Sequence, residues 1–88
     1  MVVVTRKEIM LTKDQLRDGR ALLHWTAPQL AEKTGMRRET ILKLEKGTLD
    51  LEKTSLGNVR RLRAALEEGG IEFLPDGSVR RRPDFKPD

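Results

Sequence analysis

Residues 26–47 read TAPQLAEKTGMRRETILKLEKG, and they carry the clearest structural signals in the chain. Its first four residues, Thr26 to Gln29, have the Thr-x-x-Gln form of a capping box. Pro28 falls in the first turn, where its missing N–H costs nothing. Gly35 is the residue type that ends a helix in the left-handed conformation. The pattern predicts a short helix over about 27–34, followed by a tight turn.

A second periodic segment begins after Met36 and ends at Gly47. Ile41, Leu44 and Glu45 fall on one side of a helix with this spacing. The opposite side carries Arg38, Glu39, Lys43 and Lys46. Two short helices joined by a turn that contains glycine, with the second helix polar on one face, are typical of a helix-turn-helix that enters the DNA major groove.

A first helix is predicted upstream of this stretch. Thr12 to Gln15 repeats the capping box, and leucines follow at helical spacing, so we expect a helix over about 13–24. Residues 1–10 are assigned to an N-terminal arm or a short strand. Because their apolar run, Met1 to Val4, is only four residues long, we expect neither a signal peptide nor a membrane span, and therefore a cytoplasmic protein.

A fourth helix is predicted downstream, after a connecting loop over residues 48–53 that has no sustained period. Thr54 or Ser55 can cap this helix, and the pair Gly69 and Gly70 can end it. Its apolar stripe consists of Leu56, Val59, Leu62 and Leu66.

Two short alternating runs lie on either side of the turn signal Pro75 to Ser78. They predict a β-hairpin over residues 70–82 and a charged, mobile tail over residues 83–88. An isolated hairpin is marginal in water, so it must pack on the fourth helix, pair with Met1 to Thr5, or pair with a second subunit. We expect a homodimer, formed through Ile71, Phe73 and Val79.

Composition favours a binding protein over an enzyme. The 88 residues include 18 Lys and Arg against 14 Asp and Glu, a net charge of +4 that suits a polyanionic partner. There is no cysteine, and His24 is the single histidine, so we expect no metal site, no cofactor and no catalytic residues.

The chain resembles the phage repressor/Cro type of helix-turn-helix, also called the XRE family, in a series of spaced residues: Arg20, Trp25-Thr26, Leu30-Ala31, Gly35, Thr40-Ile41 and Leu44-Glu45-x-Gly47. The resemblance covers about residues 11–66. It implies a mostly α, lambda-repressor-like four-helix DNA-binding domain over residues 11–69, with the β-hairpin added at its C-terminal end. It also implies a transcriptional regulator, a repressor or autoregulator, which binds a palindromic operator in double-stranded DNA as a dimer. Such a protein is associated with the nucleoid when it is bound to DNA.

Site residues carried over from this resemblance fall into three sets. The base-reading positions are Arg37, Arg38, Glu39 and Lys43. The positions that contact the DNA backbone are Thr26, Gln29, Thr40, Lys46, Thr48 and Lys53. The third set is an ion pair, Arg20 with Glu45, which joins the first helix to the third. Arginine and lysine can donate hydrogen bonds to guanine, and glutamate can accept a hydrogen bond from cytosine. We therefore expect a DNA site that contains G and C.

Two positions depart from the family pattern. Ala27 stands where many members have a polar phosphate-binding residue, and Arg37 stands where serine or threonine usually caps the third helix. Arg37 therefore leaves amide donors at the start of that helix without a side-chain acceptor, and these donors can face water or a DNA phosphate.

Other interpretations remain open for several residues. Arg38 and Lys43 can belong to a solvated face that contacts no DNA. Glu39 can serve only to stabilise the helix, through a favourable interaction with the helix dipole. Trp25 is expected to fill the core, and His24 to be an exposed helix-end residue.

Other arginines have two interpretations as well. Arg61 and Arg63 are expected to be solvated, with stems that cover the core edge, whereas Arg80 to Arg82 can grip phosphate or simply add solubility. The alternative function is an antitoxin-like interaction module that neutralises a protein partner through the C-terminal region, with Phe85 as its anchor.

Overall fold

A computed structural model describes residues 11–83 of the chain. The described elements are, in order, α1 (Lys13–Leu22), α2 (Ala27–Thr34), α3 (Arg38–Lys46), a one-turn 3-10 helix (Leu51–Lys53), α4 (Leu56–Glu68), β1 (Ile71–Phe73) and β2 (Val79–Arg81). The predicted fold class, mostly α with four helices and a C-terminal β-hairpin, is confirmed. The predicted arm or strand at residues 1–10 and most of the predicted tail lie outside the described residues.

Capping boxes start α1 and α2, as the sequence predicts. The Thr12 hydroxyl accepts a hydrogen bond from the Gln15 amide at 3.0 Å, and the Gln15 side-chain oxygen accepts one from the Thr12 amide at 2.9 Å. Thr26 and Gln29 repeat this arrangement at the start of α2. Each box satisfies two amides that a helix start leaves without partners, so it fixes where the helix begins.

Three local features differ from the sequence prediction or refine it. α1 ends at Leu22 instead of about residue 24, because His24 takes up a left-handed backbone with φ of 57°. The predicted loop over residues 48–53 contains the one-turn 3-10 helix, which the Asp50 side chain caps and which buries Leu51. Ser55, not Thr54, caps α4 through the Asn58 amide.

The core joins all four described helices to the hairpin. Its largest fully buried side chains are Leu11, Leu16, Leu30, Ile41, Leu44, Leu62, Leu66 and Ile71. Trp25 packs against this core as predicted, and it lies so close to Gly69 that a Cβ atom there would be 2.6 Å from the Trp25 ring. A glycine at position 69 therefore lets the aromatic ring close the end of the core.

The hairpin packs on its own chain. β1 and β2 are antiparallel, and Phe73 pairs with Val79. Ile71 is 1% exposed in the core, and Phe73 and Val79 are half-buried against it. The Gln15 side-chain nitrogen also donates to the Gly77 carbonyl at 3.1 Å, which ties the turn of the hairpin to α1.

These contacts correct one part of the predicted dimer interface. Since the side chain of Ile71 is covered by its own chain, it has no surface left to contact a second subunit. One face of the Phe73 ring is also covered, because the Arg63 guanidinium lies 4.1 Å from its centroid. Packing on the fourth helix, one of the three arrangements expected for the hairpin, is therefore present in the structure.

Candidate nucleic-acid interface

α2 and α3 form a compact pair joined by a short turn. Leu30 of α2 and Ile41 of α3 are fully buried. The hydroxyl of Thr34 donates to the Leu30 carbonyl at 2.9 Å and accepts from the Met36 amide at 3.4 Å. Gly35 follows with φ of 72°, so the chain can reverse direction without steric cost. The turn therefore fixes α3 relative to α2, as a helix-turn-helix requires.

The two sides of α3 differ sharply in exposure. We call Ile41, Leu44 and Glu45 the inner face of α3, and all three are buried. We call Arg38, Glu39, Leu42, Lys43 and Lys46 the outer face of α3, and all five are exposed. The outer face combines three cations with one carboxylate and one leucine, so that α3 presents a positive surface to the solvent.

The start of α3 has no side-chain cap. Arg37 occupies the N-cap position and makes no capping hydrogen bond. By contrast, Thr12, Thr26 and Ser55 each cap one of the other α-helices within residues 11–83. The prediction that Arg37 leaves the helix start without a side-chain acceptor at that position is confirmed. Such a helix start carries partial positive charge and favours an anion such as a phosphate.

Glu39 lies next to this helix start and already has local partners. Its pKa lies below the ordinary value chiefly because its own backbone amide donates to the carboxylate. Desolvation opposes this shift, and the charges of Arg38 and Arg37 and a hydrogen bond from Arg38 support it. The Arg38 guanidinium is 3.6 Å from the Glu39 carboxylate. The Glu39 carboxylate can accept a hydrogen bond, but it already serves the helix start, and its base-reading role stays a prediction.

The residues predicted to contact the DNA backbone lie at both ends of the helix pair, except Thr40, which lies in the first turn of α3. Thr26 and Gln29 are exposed at the start of α2. Their capping box uses the hydroxyl lone pair of Thr26 and the amide oxygen of Gln29, so both side chains keep donors for a phosphate. Thr40 is half-buried, and Lys46, Thr48 and Lys53 are exposed at or beyond the end of α3.

The predicted ion pair between Arg20 and Glu45 is confirmed, with two contacts. Arg20 Nε and Nη2 donate to the Glu45 carboxylate oxygens at 2.6 Å and 2.7 Å, and Nη1 donates to the Trp25 carbonyl at 2.9 Å. The hydrogen bond to Glu45 is the main cause that raises the pKa of Arg20, against a smaller effect of burial. Since Glu45 belongs to the inner face of α3, this pair fixes the rotation of the helix and thereby the direction of its outer face.

Two arginines outside α2 and α3, Arg63 and Arg80, have partners within the fold. Arg63, which was expected to be solvated with only its stem on the core edge, instead stacks its guanidinium on Phe73 and pairs with Glu67 at 3.0 Å. Arg80 pairs with Glu72 across the hairpin at 2.9 Å. Arg61 is exposed on α4. These positions are structural or solvated in the free chain, and none of them belongs to the outer face of α3.

Sequence reasoning missed one residue of the outer face. Leu42 is 36% exposed although it is a large apolar side chain. Helical periodicity could have identified it, because Leu42 lies four residues after Arg38 and four before Lys46 and is therefore on the same side of the helix.

The sequence matches no protein-family model and no curated protein. Within residues 11–83, no helix is long and apolar enough to cross a membrane. No group of three or more metal-ligating side chains occurs in the same part of the chain. The anchor suggested for the antitoxin-like alternative, Phe85, lies outside the described residues.

Proposed function

We propose that this chain is a sequence-specific, double-stranded DNA-binding transcriptional regulator, a repressor or autoregulator, that inserts the outer face of α3 into the major groove. The observation that carries the proposal is the contrast between the two faces of α3. The inner face is held in the core and by the Arg20–Glu45 pair, whereas every residue of the outer face is exposed. A rigidly held helix with exposed hydrogen-bonding cations is suited to direct readout of base edges.

The size of α3 supports this placement. Its nine residues correspond to about 13 Å of helix, and an α-helix with side chains is about 10–12 Å wide, which matches the major groove. In the proposed complex Arg37, Arg38 and Lys43 donate to guanine O6 and N7, while Glu39 accepts from cytosine N4. The site is therefore expected to contain G and C.

In the proposed complex, phosphate contacts at both ends of the helix pair hold α3 in its position in the major groove. The donors kept by Thr26 and Gln29 reach the backbone on one side of the groove, and Lys46, Thr48 and Lys53 reach it on the other. Thr40 is assigned a minor backbone contact because it is half-buried. Contacts of this kind add affinity that does not depend on sequence and falls with rising salt.

Two copies of the chain are proposed to bind an inverted repeat. A dimer would place two α3 helices about 34 Å apart, one turn of B-DNA, on successive half-sites. The half-buried Phe73 and Val79 stay candidates for the contact, without Ile71. Light scattering of the chain free and on DNA measures this directly, and a single copy bound to each duplex at saturation would contradict it.

The central experiment is the selection of bound fragments from random duplex DNA with the whole chain. We expect a recurring motif with G and C positions. The selection is repeated with Arg38→Ala, and with Arg61→Ala as a matched control for an exposed helical arginine on another element. We expect Arg38→Ala to lose base preference at defined positions of the motif and Arg61→Ala to keep the full motif. Fragments without any shared motif in the wild-type selection would overturn it.

A further inference from the structure

Leu42 stands out among the apolar residues of the surface. The large hydrophobic side chains exposed within residues 11–83 are Leu22, Leu42, Leu49 and Leu56. A single exposed leucine is ordinary in a soluble protein, so its position decides whether it matters. Only Leu42 among these four belongs to the outer face of α3.

The fold makes little use of this side chain. Leu42 belongs neither to the buried core cluster nor to the partly buried hydrophobics packed against it. The inner face of α3 is completed without it, by Ile41, Leu44 and Glu45. Alanine is a better helix former than leucine, so helix stability alone does not call for a large residue at this position.

The neighbours of Leu42 are the residues proposed to bind DNA. Arg38 lies one turn before it and Lys46 one turn after it, so the three side chains follow one line along the helix. Lys43 is the next residue in the chain. A duplex that contacts Arg38, Lys43 and Lys46 together must also cover Leu42.

The chemistry of the major groove limits what a covered leucine can contact favourably. Its side chain has no hydrogen-bonding atom, so over a polar base edge it would remove water without replacing the lost bonds. Thymine is the one standard base that presents an apolar group there, the 5-methyl group. We propose that Leu42 is a specificity-determining residue that recognises thymine through this methyl group. The inference rests on the proposed function and adds thymine to the expected site.

The test replaces thymine by uracil at one position at a time in the selected duplex. Uracil keeps the Watson–Crick edge and O4 and removes only the methyl group. At one thymine beside the Arg38 contact we expect binding of the wild-type chain to weaken about fourfold, the effect of burying one methyl group. Leu42→Ala should abolish this uracil penalty, whereas Leu42→Met, which keeps an apolar contact, should retain it.

Leu22→Ala provides a matched control, because Leu22 is 37% exposed and also lies on a helix. It should keep the full uracil penalty. Circular dichroism of each variant checks that the helices are retained.

Two outcomes overturn the inference and can be told apart. If the wild-type chain prefers its selected duplex but shows no uracil penalty, or if Leu42→Ala keeps the penalty, thymine recognition by Leu42 is wrong and the proposed function stands. If the wild-type chain does not distinguish its selected duplex from random DNA, both proposals fail. A penalty confined to one thymine and lost only in Leu42→Ala supports both.

Discussion

The two faces of α3 are made by the same nine residues but behave as different regions of the molecule. On the inner face, Ile41 and Leu44 are completely buried, and Glu45 is held by Arg20 through two short hydrogen bonds. On the outer face, Arg38 and Glu39 are more than half exposed and interact only at 3.6 Å. The inner face therefore contributes stability, whereas the outer face is free to meet a ligand.

Because the two faces differ in burial, substitutions on them should affect different quantities, namely the stability of the fold and the binding of DNA. Changes on the inner face should lower the free energy of unfolding whether or not DNA is present. Changes on the outer face should leave that free energy within about 0.5 kcal/mol of the wild-type value and alter binding instead. A residue of the inner or the outer face that changed both quantities would contradict this separation.

The largest effect is expected for Glu45→Ala. It leaves the Arg20 guanidinium partly buried beside an uncharged side chain, and we expect a loss of about 3 kcal/mol in the free energy of unfolding. Urea unfolding of the free protein measures it. Glu72→Ala is the matched control, because the Arg80–Glu72 pair has a similar distance but is exposed. It should cost less than about 1 kcal/mol, and equal losses for the two variants would contradict the structural role of Glu45.

The second-largest effect is expected for Arg38→Ala, and it should concern DNA binding and not stability. A lost contact to guanine should reduce discrimination at one base pair by about 1–3 kcal/mol and leave urea unfolding nearly unchanged. Competition between the selected duplex and single-base variants measures the discrimination, with Arg61→Ala as control. Unaltered base preference in Arg38→Ala would remove this residue from the base-reading set.

A smaller change of opposite sign is expected for Arg37→Ser. Serine can accept a hydrogen bond from the amide of Thr40, so the free energy of unfolding should rise by about 1 kcal/mol. Affinity for the selected duplex should fall, since a cation is lost from the interface. Arg61→Ser, which places serine inside an exposed helix face, should give no gain in stability. An Arg37→Ser variant that is no more stable would mean that the Glu39 carboxylate already satisfies this helix start.

The smallest effect is expected for Lys46→Ala. Loss of one phosphate contact should weaken binding to all duplexes alike and reduce the slope of log affinity against log salt by about one. Arg61→Ala should leave the slope unchanged. A change in base preference in Lys46→Ala would move this lysine from the backbone set to the base-reading set.

Much of the fold could be predicted from local sequence signals. The capping boxes at Thr12 and Thr26 and the left-handed stops at Gly35 and Gly47 depend on neighbouring residues only, and each is present. The packing of the hairpin depends on contacts between distant residues, such as Gln15 with Gly77, which are 62 positions apart. For this reason the strands could be predicted from local signals, whereas the assignment of Ile71 to a dimer interface was wrong. Ile71 is a core residue.

The candidate site was predictable where polarity follows the helical period. Exposed positions 38, 39, 43 and 46 are charged, so they separate from the core by pattern alone. Leu42 was missed because a leucine in a helical segment is usually a core residue. The short 3-10 helix after α3 could not be predicted either, because one turn is too brief to show a period.

Contact between the outer face of α3 and base edges is tested by comparing the affinity of the whole chain for its selected duplex with its affinity for a scrambled duplex of the same composition. At moderate salt we predict that the selected duplex binds at least about a thousandfold more tightly, and that Arg38→Ala narrows this ratio. Equal affinities for the two duplexes would mean that the outer face of α3 does not read base edges.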